Sequence, residues 1–239
     1  MSRGATMVIG WLAALCAIAA FSVLGHWQLG RQQEKQLVLD QVSATISEKQ
    51  PNPLALAADP ARTRAFDWAA GSGHFAEVPA VLLDNQQRGG RAGVRAYRVF
   101  VPDSGALPLL VELGWLPLPP ERTLPAIPRP SGAQAISGLL APPPAKGIGP
   151  GGFAGQPDGT LLAMGLDPAA LAAPLGPPGL APRGRPLDPA LAIGHERDLD
   201  VLPNTLPPER HLGYAVQWFA LALAVLAPAL VLTYRRQRR

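Results

Sequence analysis

Hydrophobic and polar positions divide the chain into two long apolar runs and a mixed middle. Gly4 to Gly30 contains no Asp, Glu, Lys or Arg, and its most apolar part, Thr6 to Leu24, reads TMVIGWLAALCAIAAFSVL. A helix needs roughly 20 such residues to cross ~30 Å of hydrocarbon. His211 to Tyr234 is a second charge-free run of sufficient length. Pro228 inside it predicts a kink or a loosened turn, which helices in lipid tolerate. Trp27, Tyr214, Trp218 and Tyr234 fall near the expected interfaces, where amphipathic rings settle. A cleaved signal peptide is the alternative for the first run. That run exceeds an h-region in length, and no small-x-small site ends it.

Past the first run, Leu29, Leu37, Val38, Val42 and Ile46 form an apolar stripe. It predicts that the helix continues to Glu48, with Pro51 and Pro53 ending it. Strand patterns follow at Ser72 to Glu77, Ala80 to Leu83, Val94 to Val101, Pro108 to Leu113 and Ala133 to Leu139. Asn85 to Gly93, NQQRGGRAG, reads as a polar hairpin loop. From Pro117 to Pro189 proline and glycine dominate, with APPPAKGIGPGG the extreme, and part of this segment is expected to be loop or poorly ordered. Thr160 to Leu166 predicts a further strand. Leu166 to Leu175 predicts a short helix with Asp167 as cap and Pro168 in its first turn.

Composition adds to this picture. Only 16% of residues are charged, below the ~25% of soluble domains, as expected if part of the chain lies in lipid. With 25 Gly and 28 Pro, short strands and long loops are favoured over a helical bundle or a doubly wound fold. The net charge of +4 comes from Arg235, Arg236, Arg238 and Arg239, which leaves no basic face for nucleic acid. A single cysteine, Cys16, rules out a disulfide framework and a Cys-x-x-Cys redox pair.

The predicted fold class is a membrane α+β protein. Two transmembrane helices flank an extracytoplasmic, loop-rich, mostly antiparallel β domain. Residues 1–5 form a cytoplasmic N-terminus, 6–26 the first span and 27–50 a helical extension. The β domain occupies 51–210 with a Pro/Gly-rich insert at 118–190. The second span is 211–234 and the basic tail 235–239. The positive-inside rule keeps that tail, and with it the N-terminus, in the cytoplasm, which places the domain in the periplasm of a bacterial inner membrane.

Candidate chemistry is sparse. His26, His74, His195 and His211 form no zinc-binding pair, and neither a nucleophile elbow nor a phosphate loop is present. Glu77, Asp84, Glu112 and Glu196 read as scattered, solvated carboxylates. Nothing points to an enzyme. The most informative cluster is His211, Tyr214 and Trp218, which helical spacing puts on one face at the outer membrane surface. A neutral imidazole there can ligate haem iron while the aromatics cover the ring edge and Arg210 or Arg31 meets the propionates. The alternative is an interfacial belt packed on the first span. His26, at similar depth, raises a two-histidine site. A second cluster, Gly25, Trp27, Gln28, Arg31 and Lys35, reads as a snorkelling anchor at the end of the first span. Gly114 and Trp115 read as the end of a buried strand and a turn capped by a packed ring.

In order and spacing these clusters resemble the surfeit locus protein 1 family of cytochrome oxidase biogenesis factors. The matching segments are Gly25-His-Trp27-Gln28-Leu-Gly-Arg31 with Lys35, LLDNQQRGGRAGVRAYRVFVP, Leu110 to Pro117, and His211 to Phe219. The resemblance implies a membrane assembly factor for cytochrome c oxidase that delivers haem a to catalytic subunit I or stabilises that subunit. It links His211 and Trp218 to haem. Haem a synthase is a further partner, beside the lipids. A haem-independent scaffold for oxidase subunits and, more remotely, a membrane-anchored periplasmic enzyme are the rival readings. One departure is Glu112-Leu113, where the family often carries Asn-Arg, which removes a strong donor for carboxylates.

Overall fold

The computed structural model describes residues 3–144, 152–176, 179–202 and 205–238. The chain divides into two compact units. One comprises Met1–Asp40 and Thr205–Arg239, the other Gln41–Asn204.

The first unit is a pair of helices. α1 runs without interruption over Arg3–Glu48, so the predicted extension and the first span are one helix. It ends ahead of Pro51, as a residue next to proline disfavours the helical region. Both helices are long and apolar enough to cross a membrane. Val8, Leu12, Leu15 and Val23 stand exposed on α1, and a soluble protein rarely leaves so continuous an apolar surface in water. In chain order the next helix, α2, is Pro168–Leu175, and the last, α3, is Pro208–Gln237, which continues through Pro228. α1 and α3 pack antiparallel: Trp11 reaches Thr233, Phe21 stacks on Trp218, and Lys35 bonds the carbonyl of Leu206.

The second unit is a mixed sheet. Its described strands are β1 (Asn52–Pro53), β2 (Asp67–Phe75), β3 (Val81–Arg88), β4 (Arg91–Pro102), β5 (Leu109–Pro117), β6 (Ala133–Leu140), β7 (Phe153–Gly155), β8 (Leu161–Ala163) and β9 (Arg185–Pro186). The long pairings, β2 with β6, β3 with β4 and β4 with β5, are antiparallel. Among the described residues, parallel pairing occurs only where the short β1, β8 and β9 attach. β4 is the hub, pairing with β2, β3 and β5. β9 joins β5 on one side and meets β6 through the bridge between Gly138 and Leu187, which closes the ring β2–β4–β5–β9–β6. β3, β8 and β7 extend from it as a wing.

Two cores lie on opposite faces of this sheet. Ala96, Phe100, Val111 and Leu113 point into one, where Phe75 and Phe100 meet edge to face at 5.2 Å. Tyr97, Val99 and Leu110 point into the other, covered by Leu171 and Leu175 of α2. Burial on both faces explains why β4 shows only partial alternation in sequence. Each fully buried side chain of this size stabilises the fold by about 1.5–3 kcal/mol.

Several local expectations need correction. The hairpin between β3 and β4 is not a loop over Asn85 to Gly93. It is a tight turn at Gly89 and Gly90, both at positive φ (55° and 75°), and the polar residues on either side continue the ladder. β2 begins at Asp67, ahead of the expected Ser72, because Asp67 is buried and its charge is met by Arg62 at 2.6 Å and Arg183 at 2.8 Å. The proline-rich segment contributes Ile127, Ile136, Leu171, Leu175 and Leu187 to the cores, so much of it is packed. Its α2 begins as predicted, with the Asp167 carboxylate accepting from the amides of Ala169 and Ala170. Most of APPPAKGIGPGG lies outside the described residues, as does Arg239 of the basic tail.

Candidate functional site

The site is built where α3 begins. Pro208 occupies the first turn, where a missing N–H costs nothing, and His211 follows on the face that packs against α1. His211 is 7% exposed. Its Nδ1 lies 2.7 Å from Oε1 of Gln28. With the amide oxygen facing it, Nδ1 carries the ring proton and donates it. Nε2 is then a bare lone pair, and it is buried without a hydrogen-bond partner. A protonated ring would leave a buried N–H⁺ unpaired, so the geometry suits a neutral imidazole.

Close helix packing holds this arrangement. A Cβ on Gly25 would stand 2.8 Å from the ring of Phe219, so only glycine lets α3 approach here. One turn further along, the rings of Trp218 and Phe21 stack with centroids 5.7 Å apart. Phe21, Gly25, Gln28 and Lys35 repeat at steps of four, three and seven along α1, the spacing of a helix-pair seam. Lys35 is buried, its ammonium held by the carbonyl of Leu206.

Of the three residues grouped by helical spacing, His211 and Trp218 meet α1 and Tyr214 does not. His211, Ala215 and Ala222 are buried on the packed face of α3, whereas Tyr214 points off this face and is 37% exposed. His26 is exposed on α1. Trp27 is exposed too. Arg31 pairs with Glu34 at 2.6 Å on the helix surface. Gln28 gained a specific partner that spacing alone did not reveal; the signal available was its place in the seam.

Gly114 and Trp115 belong to the β unit and serve its architecture. β4 and β5 slip register between Ala96 and Tyr97, so that Leu113 is the extra residue of a bulge. Gly114 adopts φ +125°, and a Cβ there would lie 2.8 Å from the backbone oxygens of His195 and Glu196. The crossing segment is fixed by Trp115 N–H donating to Glu196 O at 2.7 Å and His195 N–H to Leu113 O at 2.6 Å. Trp115 sits within the strand rather than on a turn after it, and its Nε1 donates to Gln86 O at 3.1 Å.

Glu112 is not a solvated carboxylate. It is 4% exposed, with Arg95 Nη1 3.0 Å from Oε1 and the Tyr97 hydroxyl donating to Oε2 at 2.9 Å. Burial pushes its carboxyl up, against the pull of the Arg95 charge. Burial and the Glu112 charge together push the Tyr97 phenol well up. The nearby Leu113, where the resemblance expects arginine, fills the core around Phe75 and Phe100 instead. Glu77 and Glu196 do sit at the surface, paired with Arg129 and Arg88, whereas the Asp84 side chain is largely covered and pairs with Arg122.

Two paired apolar helices, a closed mixed sheet between them in sequence, and a polar His–Gln contact within the helix pair define a membrane-anchored α+β protein. Residues 15–223 match the SURF1 family, and the chain belongs to it. The matched stretch contains the Gly25–Lys35 cluster, the whole described sheet and the His211–Phe219 cluster. No curated protein matches the chain. The family's work is the assembly of cytochrome c oxidase rather than catalysis, and that general role extends to this chain.

Proposed function

We propose that the protein assists assembly of cytochrome c oxidase by holding haem a transiently for catalytic subunit I, and that His211 Nε2 would hold its iron. The supporting observation is the orphaned Nε2. A buried imidazole whose other nitrogen donates to a side-chain carbonyl has the donor set of a ligating histidine, with its tautomer and ring orientation fixed by Gln28. The residues therefore fit the group in donor chemistry. Bound haem a would supply an iron centre for redox chemistry in the oxidase. This chain's part is to bind, orient and release. A single histidine, with Trp218 beside it, would suit a carrier that must let go. Tyr214, exposed at the membrane surface, is available to the partner or to the ring edge. In this reading the helices lie in the bacterial inner membrane with both termini cytoplasmic. The Gln41–Asn204 unit faces the periplasm, and haem a synthase is the donor.

The test is retention of haem by the full chain purified in mild detergent from cells making haem a. Pyridine haemochrome spectra are compared for wild type and His211→Ala. Haem in wild type and its loss in the variant are expected. Oxidase subunits co-purifying without haem in either protein would leave a haem-independent scaffold as the function.

A further inference from the structure

Among the described residues, Lys35 carries a buried charge that no carboxylate offsets. It is 9% exposed, and its ammonium donates to the carbonyl of Leu206. An ammonium has three N–H donors and no acceptor, so one carbonyl meets only part of its demand. The carboxylates of the helix pair are engaged elsewhere or turned outward. Glu34, its neighbour on α1, pairs with Arg31 at 2.6 Å, Asp40 accepts from Gln36, and Glu209 in the first turn of α3 is exposed. Burial and the Arg31 charge both push the Lys35 ammonium down, and no anion opposes them.

The surroundings add positive charge. Leu206 lies just ahead of α3, whose N-terminus carries about +0.5 and receives no side-chain cap from Pro207. Cations complement a helix at its other terminus, so Lys35 stands at the unfavourable one. A buried cation in such a field is costly unless an anion meets it. Lys35 also shares a seam of α1 with Gln28, two turns away along a rise of about 10 Å. Gln28 orients His211, and Phe21 with Trp218 lies beyond it. The charges of Lys35 and Arg31 both act on the His211 ring. The seam therefore passes from aromatic rings, through the orphaned Nε2, to a cation.

We infer that Lys35 binds a carboxylate of the porphyrin held at His211, so that the site selects a macrocycle with a free acid arm over its ester. The inference rests on the reading that His211 holds haem. A porphyrin held at its centre carries its carboxylates at its rim, away from the iron. Arg31 is committed to Glu34 on the surface of α1, which leaves the buried Lys35 as the stronger partner. Its flexible four-carbon stem lets two N–H donors meet a carboxylate while the third keeps the carbonyl of Leu206.

The experiment titrates the full chain in mild detergent with haemin and with haemin dimethyl ester, following the Soret band. Wild type should bind the free acid at least about tenfold more tightly than the ester, the factor expected of a hydrogen bond to a charged group. Lys35→Met should lower binding of the acid to the level of the ester and leave the ester unchanged, while Lys35→Arg should keep the preference. Equal binding of acid and ester by wild type, lost in His211→Ala, overturns the role of Lys35 and leaves haem holding by His211 intact; a lipid phosphate on Lys35 would give that result. A preference that survives in Lys35→Met overturns it too. Failure of wild type to bind either probe, or binding undiminished in His211→Ala, removes the haem reading and this inference with it.

Discussion

His211 Nδ1 and Gln28 Oε1 lie 183 positions apart in sequence and 2.7 Å apart in space. The contact fixes which ring nitrogen carries the proton and turns the other into a lone pair. Partners of this kind change metal affinity by about 10–100-fold when removed. Gln28→Leu should therefore weaken haem retention by that factor while leaving the amount of protein in the membrane unchanged. Gln28→Glu, which keeps an acceptor on Nδ1, should retain haem. The haemochrome assay reads both, and equal retention in wild type and Gln28→Leu would remove Gln28 from the site.

Gly25 packs tightly against the second apolar helix. A methyl group there would press on the Phe219 ring at 2.8 Å. Overpacking of this sort costs ~1–3 kcal/mol. Gly25→Ala should lower the thermal midpoint of the full chain in detergent, and Phe219→Leu added to it should recover much of the loss. Additive effects of the two changes in a double-mutant cycle would show that the ring is not what Gly25 accommodates.

Gly114 is predicted to be intolerant of any side chain. At φ +125° an L-residue is strained, and the backbone oxygens of His195 and Glu196 block its Cβ. Strain of this kind costs ~1–3 kcal/mol before the clash is counted. Gly114→Ala should expose the β unit to limited proteolysis, with new cleavage near residues 194–198 as the crossing segment detaches.

The Arg95–Glu112–Tyr97 group is a buried ion pair with one neutral donor. Glu112→Leu alone leaves the buried Arg95 with only Asp198, 4.0 Å from Nη2, and should destabilise, by less than the ~3–5 kcal/mol of a fully orphaned charge. Replacing all three residues by Met, Leu and Phe should come close to wild-type stability, because no unpaired polar group remains. Urea unfolding followed by tryptophan fluorescence, to which the buried Trp68 and Trp115 contribute, distinguishes the two variants.

Asp67 gives the β unit an acid-sensitive contact. Burial alone would raise its carboxyl, but the hydrogen bonds and charges of Arg62 and Arg183 outweigh that and hold it below the usual range. A carboxylate with a depressed folded-state pKa stabilises the fold above its unfolded value of ~3.9, and this contribution is lost as pH falls through the folded value. Stability of wild type should thus drop more steeply below about pH 4 than that of Asp67→Asn, which has no such proton to take up. Parallel slopes for the two proteins would show that Asp67 does not set the acid response.

The sequence by itself determined the two apolar helices, the continuation of the first to Glu48, most of the long strands and the α2 cap. Each is written in local periodicity, proline placement or a single capping residue, and needs no distant partner. The order of motifs was enough to indicate the family. Tertiary structure decided the rest. Closure of the sheet depends on a two-residue strand, β9, that has no pattern of its own and exists only because β5 and β6 offer it hydrogen bonds. Glu112 looked solvated because no local feature marks a buried carboxylate; its place follows from Arg95 and Tyr97 across the ladder. The face of α3 that packs was set by the crossing of two helices, which brings His211 and Ala215 inward and leaves Tyr214 outside. The joining of Gln28 to His211 has the same origin, since helical periodicity orders residues along one helix but cannot fix the rotation and register of a second helix against it.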